Sequence, residues 1–158
     1  MSNTSNTIKK RKTVSKQSKS KTKKSANNAI NNPSRIISNL LTFQTTLKLF
    51  HWDTARYAQH KASDQLHTDL SANIDSFVEK MLGKYPDHAA INPIMKRVHV
   101  VVQNPKLSLD AMVQKVNKLK AFLIGMRFSD TQANSDLLNI RDEMLAQLNQ
   151  FLYLIKLQ

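Results

Sequence analysis

From Asn32 onward, large apolar residues recur at intervals of three and four, and each such run predicts an amphipathic helix. The first run holds Ile36, Leu40, Phe43, Leu47 and Phe50, with Asn32 placed to cap and Pro33 at the first helical position, and it extends to about Tyr57. A second runs from about His60 to Leu82 through Leu66, Leu70, Ile74, Phe77, Val78 and Met81, with Gly83 just past its end. A third starts at Ser108 as cap and turns Met112, Val113, Val116, Leu119, Leu123 and Met126 inward. In the fourth, Ser129 and Gln132 fit a capping box ahead of Leu137, Leu138, Met144, Leu145, Leu148, Phe151, Leu152 and Ile155.

Between the second and third runs the period is lost. Residues 84 to 107 hold three of the four prolines and the β-branched patch VHVVV, which reads as a connector with a short helix or an extended segment. Two glycines in the whole chain and no run of alternating strands leave four long helices, which pack as a bundle. The long central connection favours a crossover, and with it an all-α, ferritin-like four-helix bundle over residues 32 to 158.

Charge changes the picture at the N-terminus. Nine of the 24 Lys and Arg fall in residues 1 to 25 with no acid among them, so only +4 of the net +13 belongs to the rest of the chain. Residues 1 to 31 are too poor in apolar surface to offset their ordering entropy and read as a disordered tail. Lys9, Lys10, Arg11, Lys12, Lys16, Lys19, Lys21, Lys23 and Lys24 are the candidate DNA contacts, through phosphate neutralisation rather than base reading. No apolar stretch has the length of a signal h-region or a membrane span, so the expectation is a soluble, cytoplasmic, DNA-associated protein. In a eukaryotic or viral setting it would be nuclear or virion-associated, with KKRK at 9 to 12 as an import signal. The absence of cysteine removes thiolate metal sites and leaves nitrogen and oxygen ligands.

Such ligands concentrate in residues 48 to 80, which hold three of the five histidines and five of the eleven acids. At about 100° per residue, His60, Asp64, Asp75 and Glu79 share one helical face, and His51 offers a second imidazole from the preceding helix. Imidazole with carboxylate suits iron, manganese or zinc. A di-iron centre inside one bundle needs more glutamates than Glu79 and Glu143, and neither begins a Glu-x-x-His. A site shared between two subunits would supply what one chain lacks. Trp52 reads as a packing residue, and Asp53, His67 and Asp69 as bystanders.

The run HWDTARYAQHKASDQLHTDLSANIDSFVE resembles the signature of the Dps family, the DNA-binding mini-ferritins of starved cells: His-Trp, a further His, an Asp four later, then Asp-x-x-x-Glu. The resemblance covers the first two helices, with a shorter turn between His51 and His60 than the family's. It implies a single-iron or di-iron ferroxidase centre at a two-fold interface. There His51 and His60 of one subunit, assisted by Asp64, would meet Asp75 and Glu79 of its neighbour. It also implies Fe(II) oxidation by peroxide or oxygen, ferric storage in a homo-oligomeric shell that is dodecameric in the family, and DNA binding through the tail. The alternative is a DNA-packaging protein that keeps the bundle without a working centre.

Overall fold

The computed structural model describes residues 32–102, 107–128 and 130–157, and among them every regular element is helical. In chain order these are α1 (Pro33–Asp53), α2 (Tyr57–Leu82), the short α3 (His88–Met95), α4 (Leu109–Gly125) and α5 (Ser135–Leu154).

The caps explain several boundaries. Asn32 accepts from the Ser34 backbone N–H at 3.1 Å, and Pro33 occupies the first turn, where a missing N–H costs nothing. Ser108 caps α4 through the Ala111 N–H, and Asp87 caps α3 through Ala90. The first helix stops at Asp53 rather than near Tyr57, because a three-residue turn at 54–56 intervenes, and Tyr57 opens α2. The expected capping box is not the start of α5. Ser129 lies outside the described residues, and Asp130 closes a local turn instead, accepting from the Ala133 N–H at 2.9 Å. Helix α5 therefore begins at Ser135.

The four long helices touch in the ring α1–α2–α5–α4, which leaves α2 and α4 on the diagonal. Their directions follow from contacts at the ends. The short turn makes α1 and α2 antiparallel, and Lys84, just past α2, bonds the Ala133 carbonyl and Asp136 at the start of α5. Ala62 and Leu66 near the start of α2 share a cleft with Phe151 and Leu154 at the end of α5. Helix α2 thus ends at the bundle end where α5 begins and where α4 has just finished. The connection from 83 to 108 has to climb the length of the bundle.

Two hydroxyls on α1 hold that climb in place. Ser38 Oγ accepts from the His99 N–H at 3.0 Å and Thr42 Oγ1 from the Val101 N–H at 3.4 Å. Four helical residues rise about 6 Å and two extended residues about 6.7 Å, so alternate N–H groups of the valine patch meet successive turns of α1. Hence VHVVV forms no strand with a partner strand among the described residues.

The core is one cluster drawn from all four long helices, with Leu40, Leu47, Leu70, Phe77, Met112, Val116, Leu123, Met144 and Leu148 fully buried. Each such side chain contributes roughly 1.5–3 kcal/mol of transfer free energy. Val113, Leu145 and Leu152, placed on the same stripes by spacing, are only partly buried.

Candidate metal centre

His51 stands in the last turn of α1 and His60 in the first turn of α2, either side of the 54–56 turn. Thr54 donates to the Gln59 side chain at 2.8 Å, and Gln59 is itself buried, which fixes the turn from inside. This tight closure brings the two imidazoles to 4.0 Å between centroids, with 30° between their planes.

Each ring bonds the other residue's backbone. His51 Nδ1 lies 3.1 Å from the His60 carbonyl, and His60 Nδ1 lies 3.1 Å from the His51 carbonyl. A carbonyl only accepts, so both Nδ1 atoms carry hydrogen, and in the neutral form of each ring the lone pair lies on Nε2. The His51 carbonyl is one of the orphans that a helix C-terminus leaves, and the His60 ring satisfies it. Ser63, fully buried, donates to the Gln59 carbonyl at 2.7 Å and sits 3.4 Å from His51 Nδ1 as a further acceptor.

His51 Nε2 faces Asp64 Oδ1 at 3.5 Å. With Nδ1 protonated, two electron-pair donors oppose each other there, and a proton or a cation between them relieves the conflict. A first-row ion about 2.1 Å from each atom at a tetrahedral angle spans about 3.4 Å, so the gap fits the donor chemistry. Among the described residues, no group of three His, Asp or Glu stands close enough to hold a metal ion.

For Asp75 and Glu79 the reason lies in the length of α2. Asp75 is about 16 Å along the axis from Asp64, and Glu79 about 28 Å from His60, at 1.5 Å per residue. Both are exposed, and neither forms an ion pair among the described residues. One chain therefore sets His51 against Asp64 and stacks His60 on His51, and holds Asp75 and Glu79 apart from them.

Two neighbours differ from the expectation. Trp52 is not a packing residue: it is 67% exposed, with the Lys48 ammonium 5.6 Å from its ring centre. Tyr57, also exposed, stands on the other side of the turn. His67 is half-buried rather than free on the surface, and burial, then the charges of Lys48 and His51, hold it below the usual imidazole range against the opposing pull of Asp64. Two helical turns separate His60 from His67, about 20° apart in projection, which is the signal for this proximity. Asp69 accepts two hydrogen bonds from the Gln65 side chain. The tail residues Lys9, Lys10, Arg11, Lys12, Lys16, Lys19, Lys21, Lys23 and Lys24 lie outside the described residues.

Residues 51–155 match the model of a family described as of unknown function, DUF5856. No curated protein matches the chain. No solved structure matches it either.

Proposed function

The chain belongs to the DUF5856 family of unknown function, and we propose that it is a Dps-like mini-ferritin, a ferritin-like bundle that binds and oxidises Fe(II) between subunits and holds DNA. The observation that carries this reading is the reciprocal His51–His60 bonding, which commits both Nδ1 atoms to carbonyls and leaves His51 Nε2 facing the Asp64 carboxylate as half of a nitrogen–oxygen site. The ring order α1–α2–α5–α4 with a climbing connection supports the ferritin-like wiring, since an up-and-down bundle would place α2 beside α4.

The other half comes from a second copy. Two copies of α2 lying antiparallel about a two-fold axis set His60 and Asp64 of each beside Glu79 and Asp75 of the other, giving two equivalent sites. Exposed Trp52 and Tyr57, beside the half-site, offer the aromatic anchors that such an interface uses. Fe(II) is the substrate, and the imidazoles and carboxylates orient and neutralise it. Two ferrous ions give one electron each to peroxide, which takes up two protons and leaves as two waters. The basic tail keeps DNA near the reaction that removes peroxide, and repetition of tails on an oligomer adds avidity.

Anaerobic Fe(II) titration followed by peroxide tests this. Saturable binding in the oligomer, lost in an Asp75→Ala, Glu79→Ala double variant, is the expected result. A double variant as active as the parent would leave a DNA-packaging scaffold without a ferroxidase centre.

A further inference from the structure

The charges of the folded body are unequally shared between its two helix pairs. Helices α1 and α4, with connector residues 88–102, carry seven Lys or Arg against Asp53 and Asp110, whereas α2 and α5 carry three against seven acids. A groove of about 220 Å³ runs between α1 and α4. Asn39, Thr42 and Thr46 form one wall, Lys115 and Lys118 stand on the other, and Phe43, Leu119 and Phe122 complete the lining.

More cations continue this face. Arg35 is one turn below Asn39 and about 40° from it in projection, in line with Thr42 and Thr46. Arg97 is two residues before His99, whose N–H is bonded to Ser38 on the same helix. Arg35, Arg97, Lys115 and Lys118 form no ion pair among the described residues.

We propose that the α1–α4 face, through Arg35, Arg97, Lys115 and Lys118, is a second nucleic-acid contact, built into the folded body and separate from the tail. It deepens the DNA-binding part of the function proposed above and is independent of iron. Duplex DNA suits the face by charge and by length. From Arg35 to Thr46 the helix rises about 16 Å, along which one strand presents roughly five phosphates. Continuity favours DNA over the acidic α2–α5 face of another copy, because the tail with its nine positive charges joins the body at Asn32, three residues before Arg35. The α1–α4 pair stands across the ring from α2 and α5, the helices that carry Asp75, Glu79 and most of the other acids.

The test uses the full chain and a duplex of arbitrary sequence, about 30 base pairs long, with affinity measured against salt. An Arg97→Gln, Lys115→Gln, Lys118→Gln variant should lower the slope of log affinity against log salt by about two to three and weaken binding at least tenfold at 0.1 M salt. A matched control, Lys61→Gln, Lys80→Gln and Lys156→Gln, removes the same charge from other surfaces and should change the slope by less than about one. Circular dichroism of both variants should equal the parent's. An unchanged slope in the first variant assigns all binding to the tail and overturns the proposal, while equal losses in both reduce it to net charge. Unchanged DNA affinity with loss of salt-sensitive self-association gives the face to another copy instead. Failure of the parent to bind the duplex at all overturns the DNA-binding function and this face together.

Discussion

The two ends of α2 are built in opposite ways. At its start, His60 is tied to α1 through the His51 carbonyl, the Ser63 hydroxyl meets the His51 ring, and Asp64 is set against that buried imidazole. Toward its end, Asp75 and Glu79 stand exposed without an ion pair among the described residues, while Phe77 and Met81 between and beyond them fill the core. The first end is held rigid by the chain that presents it. The second packs well but leaves its carboxylates uncommitted, as expected of groups whose partner is another molecule.

This contrast makes stability and activity separable, most widely at the second end. Phe77→Ala should cost about 3–5 kcal/mol through lost burial and a cavity at a site with no exposure. Asp75→Asn and Glu79→Gln should stay within about 0.5 kcal/mol of the parent in urea denaturation at a protein concentration where the chain is monomeric. A loss above 1.5 kcal/mol in either would mean that the carboxylates support the monomer, and the contrast would fail. At the first end His51→Ala should cost roughly 1–3 kcal/mol, since it removes a buried ring and the donor to the His60 carbonyl. Iron oxidation should nevertheless fall as far in Asp75→Asn as in His51→Ala. An activity loss confined to His51→Ala would place the whole site in one chain.

A smaller effect belongs to the connector. Replacing Thr42 by Val removes the acceptor for the Val101 N–H and should cost about 1 kcal/mol, with faster amide exchange at Val101 than at residues inside α1. Unchanged exchange there would mean that the hydroxyl does not hold the climb.

Helix content and core were legible because period and caps act locally. Ile36 to Phe50 and Leu66 to Met81 needed only the 3.6 repeat, and Asn32 and Ser108 needed only their side-chain oxygens. The start of α5 was not legible, because Asp130 competes with the expected capping box by closing its own turn. Nor was the connector, whose His99 and Val101 N–H groups donate to hydroxyls on α1 rather than to a partner strand. For the site, angular arithmetic on one helix grouped His60, Asp64, Asp75 and Glu79 on one face, but rise separates Asp75 and Glu79 from the first two by more than a metal's reach. The His51–His60 exchange of bonds was invisible to pattern, since it depends on how tightly the 54–56 turn closes. Trp52 lies about 120° or more in projection from every residue of the Ile36–Phe50 ladder, so its exposure follows the period of α1 and not its residue type.

His67 gives the finest test of how far the first end extends. Its proton is held less tightly in the folded chain than the ordinary value of 6.5, chiefly through burial and then Lys48 and His51. Below 6.5 the unfolded chain therefore binds more protons than the folded one, so this residue makes stability fall as pH drops from 6.5 toward its folded value and contributes no slope above it. His67→Gln should flatten that segment of the stability curve. Urea midpoints of parent and variant at about pH 7.5 and about pH 5.5 measure it, with the larger drop expected in the parent. The change is small, because the ring is only half-buried and solvent screens its neighbours. Equal drops would exclude His67 from the field of His51 and Asp64 and shrink the built end of α2 to His60, Ser63 and Asp64.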